Sequence, residues 1–233
     1  MKNFFIVTSC INVSFGIFDG NERFNQTIES FKSIRKNVED PFILFIDSST
    51  IPLTLEQKSK IVDHVDDYLD FSENVQAQLI NNQPNPHVLK SFGELYLLLN
   101  GILHLKNTIN FNSIEGRMFK LGGRCKLNSG FNINDYEGFK GKYIFKKRIP
   151  SWLSKEVQEY LGCTHLLETR LYSWCLTLVD DYINVINKNF ELLHKGLDTE
   201  HSHFVNIDKN NLIEFDKMFC DCSIAASGQI MND

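Results

Sequence analysis

Two apolar spacings alternate along the first half of the chain. Asn3 to Thr8 is a short, nearly continuous apolar run that closes on small polar residues, the pattern of a strand buried on both faces. From Glu22 to Val38 the apolar residues Phe24, Ile28, Phe31, Ile34 and Val38 recur three and four apart, which predicts an amphipathic helix. Pro41 follows, and Phe42 to Ile46 is a second buried run ending at Asp47-Ser48-Ser49. Thr54 is placed to cap a helix running from Leu55 toward Val62, and a short strand is expected near Tyr68-Leu69. Strands interleaved with helices predict an α/β fold whose sheet contains parallel pairs.

The second half continues that alternation less regularly. Asn81 to His87, with Pro84 and Pro86, reads as a break. Ser91-Phe92-Gly93-Glu94 has the form of a capping box, which puts the start of a long helix there and its apolar body at Leu95 to Leu105. Met118 to Leu121 predicts a strand running into Gly122-Gly123-Arg124. Tyr143 to Phe145 and Leu166 to Tyr172 read as further strands, Leu176 to Leu193 as a helix, and the tail from Asp198 as polar and mixed. No linker is long enough to separate independent units, so residues 1–233 are expected to form a single domain.

Composition narrows the function classes. The 233 residues are 42% hydrophobic and 23% charged, ordinary globular usage that excludes disorder, collagen and coiled coil for the whole chain. The formal net charge of -5 leaves no bulk basic field, so global charge argues against DNA as a partner. The only basic cluster runs from Lys140 to Arg148. Six cysteines stand at 10, 125, 163, 175, 220 and 222 without a C-x-x-C pair, which reads as reduced thiols in a cytoplasmic protein. No stretch approaches the roughly 18 apolar residues of a membrane span. Neither a G-x-G-x-x-G nor a P-loop pattern occurs.

Five segments carry candidate chemistry. Thr8-Ser9-Cys10 follows the first strand, where ligands of open α/β sheets sit beyond the strand ends. Lys90 beside the expected helix start offers a cation and free amides to a phosphate, and Glu94 a polar contact to a sugar hydroxyl. In Phe119-Lys120-Leu121-Gly122-Gly123-Arg124-Cys125-Lys126-Leu127-Asn128 a strand meets two glycines and three cations; glycine lets backbone approach a ligand, Arg124 suits bidentate phosphate contact, and Lys120 can act as a point charge. Arg170 lies among apolar and aromatic neighbours and needs an anionic partner if buried. Asp180-Asp181 and Glu200 are the candidate carboxylates, Glu200 being preferred as a base. Glu200-His201-Ser202-His203 lacks zinc-ligand spacing, and its two histidines, two apart, do not share a helix face.

The order of these segments resembles a known family. Phe4-Ile6-Val7-Thr8-Ser9, then Lys90-Ser91 and Gly93-Glu94, then Phe119-Lys120, Gly123-Arg124 and Leu127-Asn128 come in sequence. Thr169 to Ser173, Thr199-Glu200-His201 and Ile224-Ala225 with Gly228 follow. The series is similar to small glycosyltransferases with a GT-A-like (Rossmann-like) fold, of the kind found in viral and bacterial glycan-building gene sets. The resemblance implies a central, mostly parallel sheet flanked by helices, with a nucleotide-sugar half at 1–128 and an acceptor-side half at 129–233. It implies a UDP- or GDP-sugar donor lined by Thr8, Ser9, Lys90, Glu94, Lys120, Gly123, Arg124 and Arg170. Glu200, with Asp181 and Asp180 behind it, would supply the catalytic carboxylate, and a glycan or other hydroxyl compound the acceptor. If the protein is viral, the resemblance implies the host cytoplasm.

Where the family carries an Asp-x-Asp motif for manganese or magnesium, this chain has Lys-Leu-Gly-Gly-Arg, which leaves manganese or magnesium dependence open and leads to the expectation that transfer needs no tightly bound metal. Three other readings stay open: a sugar transferase acting on modified viral DNA, a sugar-phosphate nucleotidyltransferase, and a non-catalytic protein that binds nucleotide-sugar or carbohydrate. Nothing in the sequence fixes the face of attack.

Overall fold

The computed structural model describes residues 1–13, 17–83, 85–223 and 230–232, with backbone only at 86–89 and 112. The family-like residues Ile224, Ala225 and Gly228, and Ser14 to Gly16, lie outside the described residues.

In chain order the elements are β1 (Lys2–Ser9), α1 (Gly20–Asn37), β2 (Phe42–Asp47), α2 (Leu55–Val62), β3 (Asp67–Asp70), α3 (Val75–Asn81) and α4 (Pro86–Thr108). There follow β4 (Gly116–Gly122), β5 (Cys125–Leu127), β6 (Tyr143–Lys146), β7 (Ile149–Pro150), α5 (Lys155–Leu161), β8 (His165–Leu166) and β9 (Leu171–Cys175). The chain ends with α6 (Val179–His194), α7 (Thr199–Asn206), β10 (Leu212–Phe215), β11 (Cys220–Ser223) and β12 (Ile230–Met231).

Seven strands form the central sheet in the order β10-β6-β9-β4-β1-β2-β3. All pairs are parallel except those of β9, which runs against β4 and β6. The mostly parallel α/β sheet expected from the sequence is therefore present. Alternation along each strand splits the core in two. Phe4 and Ile6 of β1 pack with α4 and α6 on one face, while Phe5 and Val7 pack with α1 on the other. A small ribbon, β12-β11-β5, lies at the end of β4.

Four local expectations are corrected. The long helix α4 begins at Pro86, five residues before Ser91. Proline suits a first helical position because its missing N–H needs no partner there. Ser91 is thus buried inside the helix, and Glu94 is not a capping residue. The run from Leu166 to Tyr172 is broken between β8 and β9. The polar tail contains α7, β10 and β11, whose buried side chains are largely histidine, serine and cysteine and so give no apolar signal. Finally, Cys125 and Cys222 face each other across β5 and β11 and form a disulfide, whereas Cys10, Cys163 and Cys175 carry free thiols.

Candidate functional site

Because six strands point one way, the carboxyl edge of the sheet collects the ends of β1, β2, β4 and β6 together with the start of β9. Helix α1 turns a polar stripe toward this edge. Arg23, Thr27 and Ser30 follow each other at helical spacing and are buried beside the apolar stripe. Arg23 donates from Nη1 to the Cys10 carbonyl at 3.1 Å and from Nε to the Phe18 carbonyl at 3.3 Å. Thr27 Oγ1 lies 3.4 Å from Ser9 Oγ, and Ser30 Oγ donates to the carbonyls of Gly123 (3.2 Å) and Cys125 (2.5 Å). One helix face thus fixes the loops after both β1 and β4.

Those loops touch directly. Gly123 donates its N–H to the Thr8 carbonyl at 2.9 Å, and Gly122 its own to the Arg170 carbonyl at 3.1 Å. A Cβ on Gly123 would stand 2.7 Å from Ser9 Cβ, so only glycine lets the two loops meet. Arg124 follows, partly buried, and donates from Nη1 to the Ser223 carbonyl at 3.0 Å. Burial, and then repulsion from Arg23, bring its guanidinium down to about 10, against attraction from Glu94. It remains charged at neutral pH.

Below this cationic exit lies a buried polar cluster. Lys120 points to the α4 side of the sheet, 3% exposed, where it is ion-paired with Glu94 and donates to the Thr169 carbonyl at 2.8 Å. Burial alone would raise the Glu94 carboxyl, but attraction to Lys120 and Lys90 holds it below the usual range. Glu200, on α7, accepts from Thr169 Oγ1 at 3.2 Å. Burial, then repulsion from Glu94, push its carboxyl up. The two carboxylates are driven in opposite directions, the arrangement that separates a fixed charge from a proton acceptor. His203, one side of α7 further on, donates from Nδ1 to the Thr199 carbonyl (2.7 Å). Its Nε2 meets the Tyr182 hydroxyl at 2.8 Å, which in turn meets Tyr172 at 2.6 Å. Burial lowers the imidazole to about 4, so the ring is neutral.

The structure brings Thr8, Ser9, Glu94, Lys120, Gly123, Arg124 and Glu200 to one edge and separates others. Asp180 and Asp181 open α6 after the carboxyl end of β9, which is the opposite edge of the sheet. There Asp180 is ion-paired with Lys106, and Asp181 accepts the Tyr143 hydroxyl at 2.6 Å. Neither faces the cluster, because β9 is antiparallel and carries the chain away from it. Lys90 is exposed within α4 rather than at its first turn. Arg170 is ion-paired with Glu168. Lys120 spends its ammonium on Glu94 and Thr169, so it holds a carboxylate where a phosphate contact was expected.

The exit of β4 does not fit a divalent cation. Its side chains are a guanidinium and two glycine hydrogens, and Glu94, the carboxylate whose charge acts on Arg124, is ion-paired with Lys120. Among the described residues no group of three or more His, Cys, Asp or Glu is placed to hold a metal.

Sequence reasoning missed Arg23 and Asp47. Asp47 ends β2 fully buried and accepts from the N–H groups of Ile11 (3.0 Å) and Ser49 (3.0 Å), tying the exit of β2 to that of β1. Burial pushes its carboxyl up to about 6, against the bonds from Ser49 and Ile11. The signals were an arginine on the buried stripe of a helix and an acid closing an apolar strand; both also occur in purely structural roles.

No family model matches the sequence, and no curated protein matches it. Solved structures do. Core-mannan synthase A (CmsA/Ktr4) from Aspergillus fumigatus, in its Mn/GDP form, superposes with a TM-score of 0.52 at 11% identity over 93% of this chain and 73% of that one. The mannosyltransferase Ktr4p from S. cerevisiae gives 0.54 at 11% over 92% and 69%. Mouse xyloside xylosyltransferase 1, apo form, gives 0.51 at 10% over 92% and 84%. Among the described residues no helix is long and apolar enough to cross a membrane. Strand order, helix placement and these likenesses together show that the chain has the GT-A-type fold found in glycosyltransferases.

Proposed function

We propose that the protein transfers a sugar from a UDP- or GDP-sugar to a hydroxyl of a glycan acceptor. The observation that carries this reading is the pair Glu94 and Glu200. One carboxylate is neutralised by Lys120 and the other is raised by burial beside it, at the sheet edge where Arg124 leaves β4.

In this reading the donor lies along the exits of β1 and β4, against Thr8, Ser9 and Gly123. Arg124, with Arg23 behind it, neutralises the diphosphate that leaves with the C–O bond electrons. Glu200 in its ionised form takes the proton from the acceptor hydroxyl as that oxygen bonds to the anomeric carbon. Lys120 keeps Glu94 charged and in place, and Glu94 raises the proton affinity of Glu200. The step needs no divalent ion, in keeping with the β4 exit. The GDP-bound mannan synthase is consistent with a nucleotide donor. Residues 1–128 then form the donor half and 129–233 the acceptor half. The cytoplasmic placement read from reduced thiols loses two of its six cysteines to the Cys125–Cys222 disulfide.

The test is an assay of nucleotide released from a panel of UDP- and GDP-sugars, with and without glycan acceptors. Release that grows with acceptor and persists in excess EDTA is the expected result. Complete loss in EDTA, restored by manganese, overturns the metal-free step. Nucleotide-sugar binding without release supports a non-catalytic binding protein instead.

A further inference from the structure

Between β6 and β9 the chain leaves the sheet at Lys146 and returns at Leu171, both at the carboxyl edge that carries the candidate site. This excursion holds β7, α5 and β8, and none of the side chains of α5 is buried. It instead presents apolar side chains to water: Trp152 is 66% exposed and Tyr160 83%, with Ile149 and Val157 also exposed. The larger part of the indole faces solvent, where its flat apolar surface is open to a ligand.

Trp152 is exposed but held. The ring meets His201 edge-on, with centroids 4.8 Å apart and planes at 85°. His201 itself is fully buried, its Nδ1 2.7 Å from Asp198 Oδ1 and its Nε2 2.9 Å from Ser151 Oγ. The residues on both sides of the tryptophan are pinned as well. Ser151 donates its N–H to the Thr164 carbonyl at 3.0 Å, and Gln158 Nε2 donates to the carbonyls of Ser151 (3.3 Å) and Leu153 (2.7 Å). The chain Asp198–His201–Ser151 therefore fastens the tryptophan loop to α7, the helix that carries Glu200. His201 and Glu200 are neighbours in sequence, so the indole and the candidate base are fixed to the same turn of helix.

We infer that Trp152 is a stacking platform for a sugar ring of the acceptor, with Asp198, His201 and Ser151 as its positioning residues. Pyranose rings offer an apolar face of C–H groups and a rim of hydroxyls. A flat, pre-ordered aromatic matches the C–H face at little entropic cost. The acceptor role rests on the transferase reading; the sugar contact does not.

The chain has two tryptophans, and Trp174 is fully buried, so a change in intrinsic fluorescence on adding sugar reports Trp152. The probes are methyl α- and β-glycosides of glucose, galactose, mannose and xylose, together with lactose and maltose, added without nucleotide. A saturable blue shift with Kd on the order of 1 mM is expected for at least one probe. W152F should lose the fluorescence response but keep saturation-transfer NMR contacts to the same sugar. W152A should lose both, and should raise the acceptor KM about tenfold without changing nucleotide affinity. The inference is overturned if no probe gives a saturable response up to about 50 mM. It is also overturned if W152A binds the responding sugar as wild type does, or if the blue shift follows protein concentration alone, which would mark a contact between copies. Sugar binding at Trp152 with no nucleotide release from any donor removes the transferase reading and keeps the platform. Release without a Trp152 response does the reverse.

Discussion

Lys120 on β4 and Glu94 on α4 form an ion pair whose ammonium is 3% exposed, in a strand position that would otherwise carry a core side chain. Breaking such a pair from one side leaves a buried charge without compensation, at a cost of about 3–5 kcal/mol. Lys120→Met should lower stability by that order in urea denaturation. Adding Glu94→Gln should recover a large part of it. Equal, additive losses would show that the two groups are not coupled.

Glu200 is the candidate base. Glu200→Gln should cut transfer by about 10²- to 10⁴-fold while leaving nucleotide-sugar affinity nearly intact. Its carboxyl is raised, so wild-type kcat should climb with pH as Glu200 ionises and then level off. Steady-state rates across pH 4 to 8 check both points. A variant with near-normal rates removes Glu200 from the mechanism.

Arg124 is assigned the leaving diphosphate. A charge-assisted hydrogen bond is worth about 1.5–3 kcal/mol, so Arg124→Ala should weaken UDP or GDP binding by about 10- to 100-fold. Arg124→Lys keeps the charge but not the planar fork and should fall between. Titration calorimetry with the free nucleotide is the measurement, and unchanged affinity in the alanine variant would place the phosphates elsewhere.

The meeting of the β1 and β4 exits depends on a missing side chain. Gly123→Ala would set a methyl 2.7 Å from Ser9 Cβ and 3.1 Å from the Thr8 carbonyl, so a destabilisation of about 1–3 kcal/mol is expected. Ser9→Gly in the same chain should recover part of this, because it removes the side-chain half of the clash. Melting temperatures of the single and double variants decide it.

His203 ties acid lability to the buried cluster. Its folded-state value near 4 lies below the ordinary 6.5, so between these values the unfolded chain binds more protons at this site than the folded one. The stability it contributes is complete above pH 6.5 and is lost as the pH falls toward 4. His203→Gln should flatten the difference in stability between pH 7 and pH 4.5 relative to wild type. A variant whose pH slope equals that of wild type would show that the proton linkage lies elsewhere.

Much of the sheet follows from the chain itself. The continuous apolar runs of β1 and β2 can only be satisfied by burial on both faces, and the three-and-four spacing of α1 requires a covered side; together they dictate a layered α/β fold. The glycine at 123 lets the exits of β1 and β4 meet, because a side chain there would clash with Ser9. Other features were decided by the tertiary structure. Glu94 and Ser91 fit a cap equally well by sequence, and only the approach of β4 with Lys120 turned Glu94 inward. Asp180 and Glu200 are both carboxylates near a helix start, but the reversed direction of β9 sends one to the far edge and leaves the other beside Thr169. Local spacing fixes which side of an element is covered. The direction of a strand, and hence which distant charges share a buried cluster, is set by pairings between strands far apart in the sequence, and a single sequence carries no local trace of them.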